Sequence, residues 1–499
     1  MEKIYKWRCI MTLTKYIIID KKNEVYLKVE ADDAIRRELG EYFTFEVPGY
    51  KFTPQFRNRF WDGKIRLFSY ATGQIFTGLY PYILKWCEDN KIQVVDGTKI
   101  KDTEVDVKGI DGFIQALKIP LEIRDYQVEA FIHGLKKNRC LLLSPTASGK
   151  SLIVYLLVRF NILRLKEKAN NKILIIVPTT SLVEQLYKDF EDYGWNTEEY
   201  CHKIYSGKEK TTNKNVIITT WQSIYNLPRT FFEKFDVVIG DEAHQFKSKS
   251  LVGIMTKMDN TKYRFGFTGT LDGSQTHKWV LEGLFGPSYK VTQTQELIEK
   301  GYLSKLQIKV LLLKHNEHQF NEYEEEIQYL ITHDKRNNFI KNLSLDLKGN
   351  TLILYSRVET HGQPLYEMIN SSAAKDRKIF FVYGGVDAEG REKVREITEK
   401  ENDSIIVASY GTFSTGINIK NLHNIIFASP SKSRIRNLQS IGRVLRKGEN
   451  KTKAVLYDIA DDITYKSKKN YTLNHLIERI KIYSEEKFNY EIIQLDFKK

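Results

Sequence analysis

With 499 residues, 41% of them hydrophobic and 28% charged, the chain is long enough for about three domains with sizeable cores, which excludes global disorder. Lysine and arginine number 77 against 63 acidic residues, a net charge of +14 that points to a polyanionic partner, nucleic acid first, with a solubilising surface as the plain alternative. The four cysteines, Cys9, Cys87, Cys140 and Cys201, lie far apart without a C-x-x-C pair, so no zinc site or disulfide framework is expected and a reducing cytoplasm fits. Apolar runs such as "ILIIV" (173–177) fall short of the roughly 20 residues a membrane span needs. The opening "MEKIYKWRCIMTL" lacks the apolar core of a signal peptide, and Met11 is an alternative start.

In chain order, residues 1–115 carry short strands and turns and read as a small α+β accessory domain. Its distinctive stretch is "FTPQFRNRFWDGKIRLF" (52–68). Asp62-Gly63 is a hairpin-turn signal. Lys64 and Arg66 then share one strand face, with Ile65 and Leu67 on the other, and Arg57 and Arg59 are expected to repeat this on the preceding strand. Phe56, Phe60, Trp61 and Phe68 are interleaved. A basic ribbon with aromatics suits a duplex backbone and a stacking surface, so Arg57, Arg59, Trp61, Lys64 and Arg66 are candidate DNA contacts. Phe56 and Phe68 read better as core.

From about Ile123 to Asp458, β-branched runs alternate with amphipathic helical stretches, the pattern of parallel strands with crossover helices. "RCLLLS", "KILIIVP", "NVIITT", "DVVIGD" and "YRFGFTG" form one series; "TLILYS", "KIFFVYG", "SIIVAS", "NIIFAS" and "KAVLYDI" form another. Two series imply two α/β lobes, expected at 116–300 and 301–462. In the tail, 463–499, Leu473, Leu476, Ile477, Ile480 and Tyr483 recur at helical spacing and are expected to pack against a lobe.

"SPTASGKS" (144–151) ends like a phosphate loop but opens with Ser144 where the usual pattern has glycine. Alone it fits a nucleotide cradle or an ordinary strand-to-helix turn. Lys150 would reach the outer phosphates, Ser151 would ligate Mg²⁺, and the backbone from Ser144 through Pro145, Thr146, Ala147, Ser148 and Gly149 would cradle the anion at a helix N-terminus. "FDVVIGDEAH" decides between the two. Asp241, leaving the strand, can hold Mg²⁺ through water, and Glu242 can orient and deprotonate an attacking water. In "NLQSIGRVLRKG", Gln439, Arg443 and Arg446 stand at i, i+4 and i+7, one helix face. Two readings stand: a surface ion-pair stripe, or arginines reaching across a cleft to the γ-phosphate.

Together these segments resemble superfamily 2 helicases and translocases over residues ~120 to ~460. The resemblance implies that Arg124 and Gln127 of "LEIRDYQ" read adenine. It implies that Thr179 of "VPTTSLVEQ", and Thr220 and Gln222 of "TTWQS", touch the DNA backbone. "FTGT", with Thr268, Gly269 and Thr270, would couple ATP to nucleic acid together with His244 and Gln439. Ser356 and Arg357 of "LILYSR", and Thr415 of "ASYGTFSTGIN", would contact DNA, while Gly416 and Asn418 fall where the family contacts nucleotide or strand. The accessory stretch, "IGRVLRKG" and "EEKFNY" resemble more narrowly the UvsW-type phage helicases, which are implied to regress forks, branch-migrate Holliday junctions and dismantle R-loops.

The expectation is an α/β protein of two tandem RecA-like parallel-sheet lobes plus the accessory domain. It would be an ATP- and Mg²⁺-dependent DNA helicase acting on branched double-stranded DNA and RNA–DNA hybrids. It would be monomeric, without a membrane, in the cytoplasm, and in the host's cytoplasm if viral. The rivals are an RNA helicase and a non-hydrolysing architectural DNA-binding protein.

Overall fold

The computed structural model describes residues 15–499 except 168–170, 206, 208, 417–418, 430, 449–450 and 499. By its internal contacts the chain divides into two compact units: residues up to Ser144 with Gly149–Val291, and Pro145–Ser148 with the chain from Thr292 onward. The division falls earlier than the expected residue 300.

The first unit begins with a mixed sheet. Its strands are β1 (Tyr16–Lys21), β2 (Tyr26–Glu30), β3 (Thr44–Glu46), β4 (Lys64–Arg66), β5 (Phe68–Ser69), β6 (Gln74–Phe76) and β7 (Gln93–Asp96). Five of them run in the order β5-β6-β2-β1-β7, while β3 and β4 form a separate pair. In β1 the alternation buries Ile17 and Ile19 on one face.

The remainder of the unit is a seven-stranded, all-parallel sheet. It comprises β8 (Arg139–Leu143), β9 (Lys172–Val177), β10 (Cys201–Ile204), β11 (Val216–Thr220), β12 (Phe235–Gly240), β13 (Tyr263–Thr268) and β14 (Ser288–Lys290). The order is β10-β11-β9-β12-β13-β8-β14. Five of these strands were legible as apolar runs because helices cover both faces of a parallel sheet. The short β10 and β14 were not. β14 closes the sheet against β8 just before the unit ends, which is why the division comes before residue 300.

The accessory sheet is fastened to this lobe rather than tethered to it. Trp279, on the helix Gln275–Phe285, sits among the rings of Tyr42, Phe43, Phe45 and Tyr82 at centroid distances of 5.4, 5.2, 5.0 and 4.7 Å. The Tyr82 hydroxyl donates to the buried Glu282 carboxylate at 2.6 Å. Gly78 approaches so closely that a Cβ there would lie 1.8 Å from the Glu282 carbonyl oxygen, so no larger residue fits. Two more bonds complete the seam: Glu24 N–H donates to Asp259 O at 2.9 Å, and the Arg139 guanidinium donates to Glu24 O at 2.9 Å.

The second unit holds another seven-stranded parallel sheet. It comprises β15 (Lys305–Lys314), β16 (Thr351–Tyr355), β17 (Ile379–Val382), β18 (Ile405–Ser409), β19 (Asn424–Phe427), β20 (Lys453–Asp462) and β21 (Tyr490–Asp496). The order is β17-β18-β16-β19-β20-β15-β21. The terminal region is therefore more than a helical tail, because β21 adds an edge strand beside β15. Its helix Tyr471–Glu485 buries Thr472, Leu476, Arg479, Ile482 and Tyr483, while Leu473, Ile477 and Ile480 of the expected stripe are half-buried. Arg479 can enter this face because Asp458 receives it, with Nε donating at 2.8 Å; a buried guanidinium needs such a partner.

Candidate nucleotide site and nucleic-acid surfaces

The strand β8 delivers the chain to the loop Ser144–Gly149, and the helix Lys150–Arg164 leaves it. Ser144 is buried, its N–H donating to Thr268 O at 2.8 Å, so the loop starts in register with the end of β13. The Ser148 hydroxyl donates back to Pro145 O at 2.6 Å and closes the loop on itself. Gly149, at φ +79°, is the N-cap. A side chain there would also strike Gln127, whose Nε2 would be 2.3 Å from a Cβ. Gln127 is held beside the loop by Arg124 N–H, which donates to its Oε1 at 2.9 Å. The small Ser144 and the left-handed Ala147 (φ +66°) do the turning that the missing first glycine would have done.

Lys150 Nζ lies 3.2 Å from Asp241 Oδ1 and 3.3 Å from Glu242 Oε1. Burial would lower the ammonium's pKa, but the two carboxylates outweigh burial and raise it well above the ordinary lysine value. Burial would likewise raise Glu242; Lys150 and His244 overcome this and hold it far below the carboxylate range. Glu242 sits at φ +47°, a left-handed conformation uncommon for a residue with a side chain, directly after β12. Its N–H donates to Asp241 Oδ1 at 2.8 Å.

The carboxylates lead to the coupling residues. His244 Nδ1 is 3.3 Å from Glu242 Oε2 and 3.1 Å from Thr268 Oγ1, and the Thr268 hydroxyl donates to Thr270 O at 3.0 Å across Gly269. Sequence reading missed two residues here, one of them directly behind His244. His277 Nε2 bonds the His244 carbonyl at 2.8 Å, and its Nδ1 is 2.9 Å from Asp272 Oδ1. Burial would raise the Asp272 carboxyl, but His277 and Ser274 hold it far below its usual range. The other omission is Tyr193, whose hydroxyl is 3.0 Å from Ser151 Oγ. Only the "HK" after "GSQT" and a tyrosine closing a helix marked these in sequence, and neither is a motif.

Among the described residues no cluster of three or more His, Cys, Asp or Glu could hold a metal. The available donors are a hydroxyl, Ser151, and one carboxylate, Asp241. These suit Mg²⁺, which binds through few protein oxygens and completes its shell with substrate phosphates and water.

Other expected residues fall into three places. Thr179, Thr220 and Gln222 gather at the carboxyl ends of the neighbouring β9 and β11, with Gln222 Nε2 donating to Pro178 O at 3.4 Å. In the second unit, Ser356 N–H donates to Ser429 Oγ at 3.2 Å, and Arg357 is ion-paired with Glu324. Gln439 and Arg443 lie on the helix Arg434–Val444, the Arg443 guanidinium 5.7 Å from the Phe413 ring centre. Arg446 does not continue that face: the helix ends at Val444, so Arg446 stands in the following turn. Gly416 ends the helix Tyr410–Gly416; Asn418 and the Thr415 side chain lie outside the described residues.

The basic stretch departs most from expectation. Arg57 and Arg59 are not on a strand. Thr53 caps and Pro54 opens a short helix, Pro54–Arg57, and Arg59 sits at φ +58°. The partner of β4 is β3, with Thr44↔Arg66 and Glu46↔Lys64, so Asp62-Gly63 is not a hairpin turn between two basic strands. Lys64 and Arg66 are nevertheless exposed, and they line a groove of about 1050 Å³ together with Arg36, Arg37, Thr44 and Thr72. Beside it projects an aromatic tip: Phe60 is 84% and Phe52 77% exposed, and the Trp61 indole N–H is fixed by Lys64 O at 2.9 Å. Phe68 is core, as expected, whereas Phe56 is half-buried against Tyr50.

Three family models match in chain order: DNA helicase UvsW, N-terminal, over residues 17–96; type III restriction enzyme, res subunit, over 120–273; and helicase conserved C-terminal domain over 334–448. The ATP-dependent DNA helicase uvsW of Enterobacteria phage T4 is 35% identical over 493 residues, 93% of this chain and 96% of the relative. The DNA 3'-5' translocase XPB2 of Sulfurisphaera tokodaii is 26% identical over 362 residues, 69% of this chain and 75% of its own length. The crystal structure of T4 UvsW matches 96% of this chain and 99% of that chain with a TM-score of 0.51 and 32% identity. The two parallel sheets are thus tandem RecA-like lobes. Identity at this level along almost the entire length, reaching into the accessory sheet as well as both lobes, assigns the chain: it belongs to the family of UvsW-type ATP-dependent DNA helicases.

Proposed function

We propose that the protein is an ATP·Mg²⁺-driven helicase or translocase that remodels branched DNA: forks, four-way junctions and R-loops. The single observation that carries the branched-DNA reading is the basic groove of Arg36, Arg37, Lys64 and Arg66 with the exposed Phe52 and Phe60 beside it, on a sheet fastened to the lobe that bears Lys150, Asp241 and Glu242. Phosphate contacts give sequence-independent grip, and exposed rings stack on bases only where the duplex opens.

At the nucleotide, Lys150 keeps its charge and donates to phosphate oxygens. Ser151 and Asp241 would hold Mg²⁺, which when bound neutralises phosphate charge. Glu242, whose charged form Lys150 and His244 favour, orients the attacking water and accepts its proton. Phosphoryl transfer needs little more, because its transition state is stabilised by position and charge. Arg443 and Arg446 supply further positive charge to the transferring phosphate.

The test is a strand-displacement panel over forks, four-way junctions, R-loops and linear duplex, with and without ATP, alongside Glu242→Gln. Branched substrates should be processed in preference to linear duplex, and the variant should lose about 10²-fold or more of ATP turnover while still binding nucleotide. Equal action on linear duplex, stimulation by single-stranded RNA alone, or full turnover by the variant refutes the reading.

A further inference from the structure

The second unit contains a buried lysine that the nucleotide chemistry described so far does not use. Lys451 is 3% exposed. Its ammonium donates to three backbone carbonyls: Val444, Arg446 at 3.0 Å and Lys420 at 3.2 Å. An ammonium has three N–H donors and no acceptor, so three carbonyls satisfy it completely.

The identity of those carbonyls matters. Val444 is the last residue of the helix that carries Gln439 and Arg443, and Arg446 lies just past its end. Carbonyls at a helix C-terminus lack intrahelical partners and carry the negative end of the dipole, which a cation stabilises. Lys420 belongs to the strand-to-strand connection that follows Gly416, and its own N–H is fixed by Glu399 Oε1 at 2.6 Å. One side chain therefore joins the arginine turn to the loop after Gly416. A further bond, Ser304 N–H to Leu445 O at 2.8 Å, fixes the same turn to the start of β15.

We propose that Lys451 is a positioning residue for ATP hydrolysis, its ammonium setting where Arg443 and Arg446 stand by tying their helix end to the loop after Gly416. This rests on the reading that those arginines act on the triphosphate. It touches neither nucleotide nor DNA itself.

Protonation gives the tie a signature. Burial pushes the Lys451 amine down to about 7, opposed by Glu399, the acid facing it from the helix Ala388–Lys400. His423, just before β19, faces it from another side and is itself pushed down by burial and then by Lys451, so it adds no charge near neutrality. Lys420 and Arg446 meet Lys451 through their carbonyls. The number of N–H donors sets the sign. Below about 7 the ammonium holds three carbonyls. Above it, the amine has two donors and a lone pair, so one carbonyl is left facing that lone pair and the tie loosens.

The experiment uses the full chain with Lys451→Met and Lys451→Arg, measuring DNA-stimulated ATP turnover from roughly pH 6 to pH 9, with unfolding temperature and affinity for a fluorescent ADP analogue as folding checks. Wild type should lose turnover as pH rises through the neutral range. Lys451→Met should turn over about 10–100-fold more slowly with KM for ATP within about twofold, and should lose that pH dependence. Lys451→Arg, whose guanidinium stays charged, should retain more activity than Lys451→Met and show no decline in that range. A folded Lys451→Met with wild-type turnover, or a decline shared by wild type and Lys451→Arg, overturns the proposal. If Lys451→Met fails to fold, the Lys451→Arg profile alone decides. Wild-type protein that cleaves no ATP on any polynucleotide would instead defeat the functional reading beneath it.

Discussion

Replacing Trp279 by alanine is expected to loosen the accessory sheet from the motor without stopping the motor. The indole is 4% exposed and surrounded by Tyr42, Phe43, Phe45 and Tyr82. A buried tryptophan cut to alanine costs about 3–5 kcal/mol, through lost transfer energy and the cavity left behind. The seam retains the Glu24–Asp259 backbone bond, contributing about 1 kcal/mol, and two bonds to charged groups, Tyr82 to Glu282 and Arg139 to Glu24 O, contributing about 1.5–3 kcal/mol each. The apolar core runs unbroken from Ile17, Ile19, Leu27 and Leu39 into the lobe, so the loss should loosen the sheet locally along this seam while the rest of that core persists. Hydrogen exchange should speed up in the helix Tyr80–Asp89 and around Gly78, and an early unfolding transition should appear. ATP turnover on single-stranded DNA should stay within about threefold of wild type, whereas junction unwinding should fall by about tenfold or more. Unchanged exchange along this seam with wild-type junction unwinding would refute the reasoning. Equal losses of turnover and unwinding would do so too.

Other perturbations have defined outcomes. Asp272→Asn should destabilise by about 1.5–3 kcal/mol at pH 7, the range for charge-assisted bonds such as those to His277 and Ser274. Because the folded carboxyl is held below its unfolded value, that difference should be fully present above about pH 4 and shrink on acidification, as followed by thermal melts of both proteins. Tyr193→Phe removes the partner of Ser151 Oγ and should raise the Mg²⁺ concentration needed for nucleotide binding about three- to tenfold, read by titrating Mg²⁺ against a fluorescent ADP analogue; an unchanged Mg²⁺ requirement would show that Tyr193 only packs. Trp61→Ala together with Phe60→Ala should reduce junction unwinding more than ATP turnover, and equal losses would argue that these rings serve the fold. Arg36→Ala together with Arg37→Ala should lower the slope of log binding constant against log salt by about two on a junction, as expected for two lost phosphate contacts.

The parallel strands were readable because burial on both faces writes a continuous apolar run, as in Ile173–Val177. The missed strands break that condition, each in its own way. β10 sets His202 and Lys203 between its two buried ends, and β14 has only three residues. β15 alternates Lys305, Gln307 and Lys309 with apolar residues and so resembles a half-exposed strand. β21 is an edge with Ile492 47% exposed. The accessory ribbon failed for a sharper reason. Thr53-Pro54 is a helix start, and a helix start competes directly with strand alternation over the next few residues. The true partner of β4 lies upstream in β3, a non-local pairing that no turn signal announces. The phosphate loop and the Asp241-Glu242 pair were legible because their spacing is local. Tyr193, His277 and Lys451 were not, since each acts through a partner that only tertiary structure supplies.

One helix explains why the accessory sheet and the Asp241–His244 segment belong to a single compact unit. Gln275–Phe285 begins after Asp272 and the Ser274 cap, and within its first turn His277 grips the His244 carbonyl. Two residues later Trp279 enters the aromatic cluster of the accessory sheet, and one turn further Glu282 receives Tyr82. The spacing is what a helix demands of a double-sided connector. His277 and Trp279 are about 200° apart around the axis, so one side chain faces the Asp-Glu-Ala-His segment while the other faces the accessory sheet. A helix of three turns is stiff, so a displacement at either end has nowhere to dissipate before it reaches the other. Cutting the connection at Trp279 and at His277 separately therefore makes different demands on the same element. The first should uncouple the accessory sheet while leaving His244 in place; His277→Phe should disturb His244 and slow ATP turnover while leaving the aromatic cluster intact. If both substitutions produced the same loss of turnover and the same loss of junction unwinding, the helix would be acting as common core and not as a connector between two sites.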